Sequence, residues 1–88
     1  MERTEVYKLI DGERDYQEWR WTDSETPDED KPPIEWLSYI RYHADRCEIS
    51  NYELGKEAAM EEIRKIAALA VRAMEIHGCP ARQIAEQE

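Results

Sequence analysis

The chain has 88 residues, with 21 acidic side chains against 12 basic ones and a formal charge of -9 at pH 7. That length supports one small domain, which buries only about 60 to 65 percent of the surface its unfolded chain exposes, so a partner or a second copy would add stability. The charge excludes nucleic-acid phosphates and anionic membranes as natural partners and favours basic protein surfaces.

Three tryptophans, five tyrosines and an apolar run near the C-terminus supply enough material for a core, which argues against disorder. No basic stretch leads into an apolar one, and no apolar stretch reaches membrane-spanning length, so an intracellular chain with no membrane partner is expected. Two cysteines, Cys47 and Cys79, are too few for a disulfide scaffold.

Residues 1–21 form an aromatic N-terminal segment. The pair Asp11-Gly12 would suit a hairpin turn, but "ERDYQEW" is too charged for a strand with a buried face. Tyr16 and Trp19, three apart, fit one side of a short helix near 12–20, capped by Asp11. Residues 22–33 are an acidic linker, where Pro27, Pro32 and Pro33 forbid a regular element. The run reads as a tether rather than a mimic of nucleic acid, because a flexible segment supplies charge without phosphate-like spacing. Its carboxylates Asp28, Glu29 and Asp30, with Glu35, lie at the positive end of a helix that Pro32 and Pro33 begin.

Residues 34–80 read as an antiparallel helical hairpin. Trp36, Ile40, His43 and Cys47 recur at helical spacing from Ile34 to about Glu48. "ISNYELG" breaks the pattern with Ser50 or Asn51 as a cap, and a second helix runs from about Tyr52 to His77, stopped by Gly78 and Pro80. Residues 81–88 are a tail. On the second helix, Ala59, Ile63, Ile66, Ala70, Ala73, Met74 and His77 share a face that Met60, Ala67 and Val71 widen. This arc exceeds the roughly 100° that one packing partner requires. Either the N-terminal segment folds back over it or another subunit does. The expected fold is all-α, a hairpin with a short N-terminal helix completed into a bundle by oligomerisation, with a dimer favoured.

Two constellations suggest metals. His43, Cys47, His77 and Cys79 have the composition of a zinc site, but an antiparallel hairpin separates the two pairs by about 35 Å. Glu57, Glu61 and Glu62 suggest a magnesium site, but Glu57 and Glu61 share their arc with Arg64, Lys65 and Arg72 and should face water. No P-loop, G-x-S-x-G or H-E-x-x-H motif occurs. No catalytic residue, metal or cofactor is expected.

The stretches "ERDYQEWRW" at 13–21, "PPIEWLSYIRYHA" at 32–44 and "IRKIAALAVRAME" at 63–75 resemble a family of small tailed-bacteriophage proteins. That family in turn is similar to the MazG-type all-α nucleoside triphosphate pyrophosphohydrolases, whose helices carry paired E-E-x-x-E and E-x-x-D metal ligands. Here Glu61 and Glu62 match the start of the second motif, Lys65 stands near where its aspartate belongs, and the first helix offers only Glu35. The resemblance therefore implies a helical scaffold in the cytoplasm of an infected bacterium, without the catalytic set.

Three functions follow as expectations. The first is a phage-encoded factor that binds and inhibits or redirects a host protein with a basic surface, an anti-defence (anti-CRISPR-like) role being one form of it. It would use the face Ile63, Ile66, Ala67, Ala70, Val71 and Met74 and the anchors Trp19, Trp21 and Trp36. The second is an oligomeric sponge for a nucleotide signal, with Arg41, Arg64, Lys65 and Arg72 on the phosphates and a tryptophan on the base. The third is a MazG-like pyrophosphohydrolase using Glu57, Glu61 and Glu62.

Overall fold

The computed structural model describes residues 1–21 and 26–83. Among these, three α-helices and one 3-10 turn make up the regular structure: α1 (Arg3–Arg20), the turn Asp28–Asp30, α2 (Pro33–Leu54) and α3 (Lys56–His77). The all-α class is as expected. The part of the linker and of the tail that falls at 22–25 and 84–88, including Asp23 and Glu25, lies outside the described residues.

α1 is not short. It spans 18 residues and starts well before Asp11, so Asp11 is interior to the helix rather than its cap. Gly12 was the misleading signal. A single glycine inside a helix costs roughly 1 kcal/mol relative to alanine but does not end it when the flanking residues propagate.

α2 begins with Pro33 in its first turn, as the double proline requires. It then runs straight through "ISNYEL" to Leu54. Ser50 and Asn51 do not cap the following helix; instead their carbonyls both accept the Gly55 N–H, closing α2. Gly55 takes φ 97°, a left-handed conformation that costs a side-chain-bearing residue energy, and it alone joins the two helices. α3 ends at Gly78, whose N–H bonds the Met74 carbonyl.

Cross-helix contacts fix the antiparallel sense of α2 and α3. His43 meets Glu62 at 2.8 Å and, one turn on, Cys47 Sγ meets the Ala59 carbonyl at 3.3 Å. α1 packs on α3 as well, so α3 lies between two helices. The α1 contacts fan out: Glu13 bonds Arg64 at 2.8 Å, while the adjacent Arg14 bonds Glu75 at 2.9 Å, three turns further along α3. α1 therefore crosses α3 rather than running beside it.

The crossing changes the expected interface. Of the two covers the sequence leaves open, the chain's own N-terminal segment supplies part, through α1. The core is Trp36, Ala59, Ala68 and Leu69, with Leu69 fully enclosed. Ala68 and Leu69 fall outside the expected oligomer face. Within that face Ile63 and Met74 are 43 % and 50 % exposed, whereas Ile66, Ala67, Ala70 and Val71 are half-buried against the chain's own helices. Four polar residues, Arg14, Gln17, Lys31 and Glu62, are buried beside this small apolar core.

The two glycines give opposite expectations. At Gly12 an added Cβ meets nothing within 4 Å in an ordinary helical backbone, so Gly12→Ala should raise stability by about 0.5 to 1 kcal/mol. Gly55→Ala should lower it by about 1 kcal/mol or more because of the positive φ. Chemical denaturation of both variants checks the sign.

Candidate ligand cleft

The first three turns of α2 present aromatic side chains on one side. Trp36 and Tyr39 meet edge-to-face with centroids 5.8 Å apart, and Tyr42 and His43 do so at 5.2 Å. Trp36 is 2 % exposed and anchors the group. Lys31, just before α2, lays its ammonium 5.5 Å from the Trp36 ring centre and 5.8 Å from that of Tyr39, within cation–π reach. The end of α1 brings Arg20 and Trp21 to the opposite wall. Together these seven residues line a cleft of about 520 Å³.

Charge distinguishes this cleft. The chain carries 21 carboxylate side chains, yet the cleft lining holds none, while Arg20 and Lys31 supply cations and His43 an imidazole. Arg20 makes no ion pair among the described residues. Three acids touch lining residues from behind without joining the lining: Glu35 accepts from the Tyr39 hydroxyl at 2.8 Å, Glu62 meets His43 at 2.8 Å and Asp28 meets Lys31 Nζ at 2.9 Å.

A network behind the cleft fixes Lys31. Asp28 also accepts from Arg72 at 3.0 Å, Arg72 bonds Glu75 at 3.0 Å, and Glu75 accepts from Arg14 at 2.9 Å. The Lys31 carbonyl lies 2.8 Å from His77 Nε2. A carbonyl only accepts, so this ring nitrogen carries the proton. Burial alone would raise the Asp28 and Glu75 carboxyl pKa values. Hydrogen bonds from Lys31 and Arg72 to the first, and from Arg14 and Arg72 to the second, outweigh it and hold both below the ordinary range.

A second cluster closes on Glu62. His43 Nδ1, at 2.8 Å, donates to one carboxylate oxygen, while Lys65 at 3.3 Å and Arg46 at 3.5 Å contact the other. Burial opposes ionisation, and the bonds from His43 and Lys65 overcome it, so Glu62 also sits below its usual value. Three side chains, His43, Lys65 and Arg46, thus occupy this carboxylate.

The other sequence candidates are dispersed. Trp36 is a core residue, not a surface anchor, while Trp19 is 73 % exposed and Trp21 forms a cleft wall. Arg41, Arg64, Lys65 and Arg72 do not converge on a phosphate site: Arg64 is bound to Glu13, Lys65 to Glu62 and Arg72 to Asp28, and Arg41 is exposed on α2. Glu57 and Glu61 are exposed. Among the described residues no cluster of three or more His, Cys, Asp or Glu side chains is arranged to hold a metal ion. His43 and Cys47 face the start of α3, and His77 meets Lys31 near its end.

Sequence reasoning missed Arg20, Lys31, Tyr39, Tyr42 and the structural role of Asp28. One signal was available: Lys31 is the only base between residues 22 and 35. The acid run is thus not merely a tether, since Asp28 is bonded into the fold.

No known protein family, characterised protein or solved structure matches this chain.

A carboxyl group whose pKa falls on folding stabilises the native state above its unfolded value and loses that contribution as pH drops through the folded value. With Asp28, Glu62 and Glu75 all lowered, the melting temperature should hold through neutral pH and fall once the solution is acidified below the ordinary carboxylate range. Asp28→Asn should cost about 1 kcal/mol at pH 7, allowing for solvent screening of a partly exposed pair, and should flatten the acid limb. Thermal melts across the pH series measure both effects.

Proposed function

We propose that the protein is a non-catalytic binder whose aromatic cleft takes a small, flat anion, with a nucleotide as the ligand class that joins a stacking base to phosphate charge. The observation that carries this reading is the lining itself: four aromatic rings, two cations, an imidazole and no carboxylate in a chain of charge -9. A cleft of about 520 Å³ falls within the roughly 300 to 1,000 Å³ usual for small-molecule sites. Trp21 and Tyr42 offer ring faces, and Arg20, uncommitted among the described residues, is the phosphate donor group. Lys31 and His43, already tied to Asp28 and Glu62, fix the floor. This keeps the sponge reading but moves its phosphate contacts away from Arg41, Arg64, Lys65 and Arg72.

Binding without turnover is part of the proposal. Magnesium-dependent phosphate chemistry needs free carboxylates converging on one point. Glu62 is engaged by His43, Arg46 and Lys65, and Glu57 and Glu61 are exposed.

A second reading is favoured by one observation. Trp19 stands exposed on α1 with Tyr16 beside it, ring centres 5.8 Å apart, and surface aromatics of this kind serve as protein anchors. On the resemblance to tailed-phage proteins, the partner would be a basic protein of the infected host cell, inhibited or redirected by the contact.

Titration with adenosine and guanosine mono- and triphosphates, followed by tryptophan fluorescence and calorimetry, tests the first reading. Saturable binding is expected. Arg20→Gln should weaken it about tenfold, Trp21→Ala should cost about 1 to 3 kcal/mol of stacking, and Arg41→Gln should leave it unchanged. No pyrophosphate release is expected with Mg²⁺, in wild type or in Glu61→Gln. Absence of binding across the panel rejects the cleft as a nucleotide site, and turnover abolished by Glu61→Gln rejects the non-catalytic reading.

A further inference from the structure

A second concavity, of about 460 Å³, opens where the first half of α1 diverges from the start of α3, and it shares no residue with the aromatic cleft. Its walls are apolar. α1 contributes Val6, Leu9 and Ile10, α3 contributes Met60, Ile63 and Ala67, and four of the six, Val6, Leu9, Met60 and Ile63, are 39 to 51 % exposed.

The rim differs in charge from the rest of the molecule. Lys56 and Arg64 stand with Glu57 and Glu61 around the groove, two cations and two anions on a chain of net charge -9. Lys56, Glu57 and Glu61 form no ion pair among the described residues, whereas Arg64 is bound to Glu13 at 2.8 Å.

We propose that this groove is the contact surface of a homodimer, with a second copy of the chain seating the same groove against it about a two-fold axis. Exposed area, apolar lining and charge support this independently of the ligand cleft. The chain exposes 7404 Å² at a mass of 10.5 kDa, where a compact folded monomer of that mass exposes roughly 5,400 Å². The surplus exceeds the roughly 800 Å² that each partner loses in an interface of standard size. Apolar side chains at helical spacing on α1 and α3 face the same opening, so two copies would enclose them between four helices.

The charges decide the occupant. Copies of net charge -9 repel over most of their surface, and they meet with least penalty where the local charge balances. An isologous contact requires a self-complementary patch, and a rim of both signs meets that condition, with Lys56 of each copy against Glu61 of the other. A strongly basic foreign partner gains little from a rim that is already neutral. The interface shifts from the one expected from sequence: of that face only Ile63 and Ala67 line the groove.

Light scattering across a dilution series, with circular dichroism as the control for folding, tests the proposal. The expected mass at high concentration is twice 10.5 kDa. Met60→Glu should give a monomer of unchanged helicity, since Met60 is half exposed in the protomer; Val6→Lys is the second variant should the first perturb folding. Lys56→Glu should raise the dissociation constant at least tenfold, and adding Glu61→Lys to it should restore the dimer, a rescue that only a self-complementary rim produces. A wild-type chain of monomer mass throughout, a dimer indifferent to both Met60→Glu and Val6→Lys, or a monomer that takes up a basic protein through this groove overturns it.

Discussion

A line of alternating charges holds the first helix in place, and much else depends on it. From Arg14 through Glu75, Arg72 and Asp28 to Lys31, each side chain contacts the next, and the line ties α1, α3 and the turn before α2 into one unit. Apolar burial does less at this junction: the buried residues of α1 are Arg14 and Gln17, and Gln17 donates to the Lys65 carbonyl at 3.2 Å. Partly buried charges are costly to desolvate and hold only when each finds its counterpart in good geometry. Such a junction is specific in register, because sliding α1 by one turn would strand several charges at once. It also places Trp21 and Arg20 opposite Lys31, which gives the cleft its second wall.

The hairpin was legible in the sequence because its boundaries are written in residues with few alternatives. Pro33 can only begin a helix, and Gly78 followed by Pro80 ends one. The break between α2 and α3 was placed too early because Ser50 and Asn51 have the chemistry of caps, while the residue that turns the chain is Gly55. The helix in α1 was truncated for a related reason, since Asp11-Gly12 has the composition of a turn and only the helix formers on both sides outvote it. The apolar wheel of α3 indicated that more than one neighbour is needed. It did not show that one neighbour is the chain's own N-terminal helix, because the bonds that dock α1 join residues 48 to 61 positions apart.

The cleft was less legible than the fold. Its aromatics lie on one helix and could be counted, but their meaning comes from Lys31, Arg20 and Trp21, which approach from two other segments. The basic residues picked out on α3 have a visible periodicity, and in the fold they are spent on neighbouring carboxylates. Pattern identifies cations, whereas only the tertiary structure shows which remain unengaged.

The single-residue joint at Gly55 also bears on how the molecule assembles in time. α2 and α3 meet through contacts 12 to 19 residues apart in the chain, so their closure costs little loop entropy and comes early. α1 docks across much longer separations. The two walls of the aromatic cleft thus belong to units of different kinetic standing, and the wall carrying Arg20 and Trp21 belongs to the one that arrives last and leaves first. Local opening of α1 alone, with the hairpin intact, would dismantle the cleft long before global unfolding.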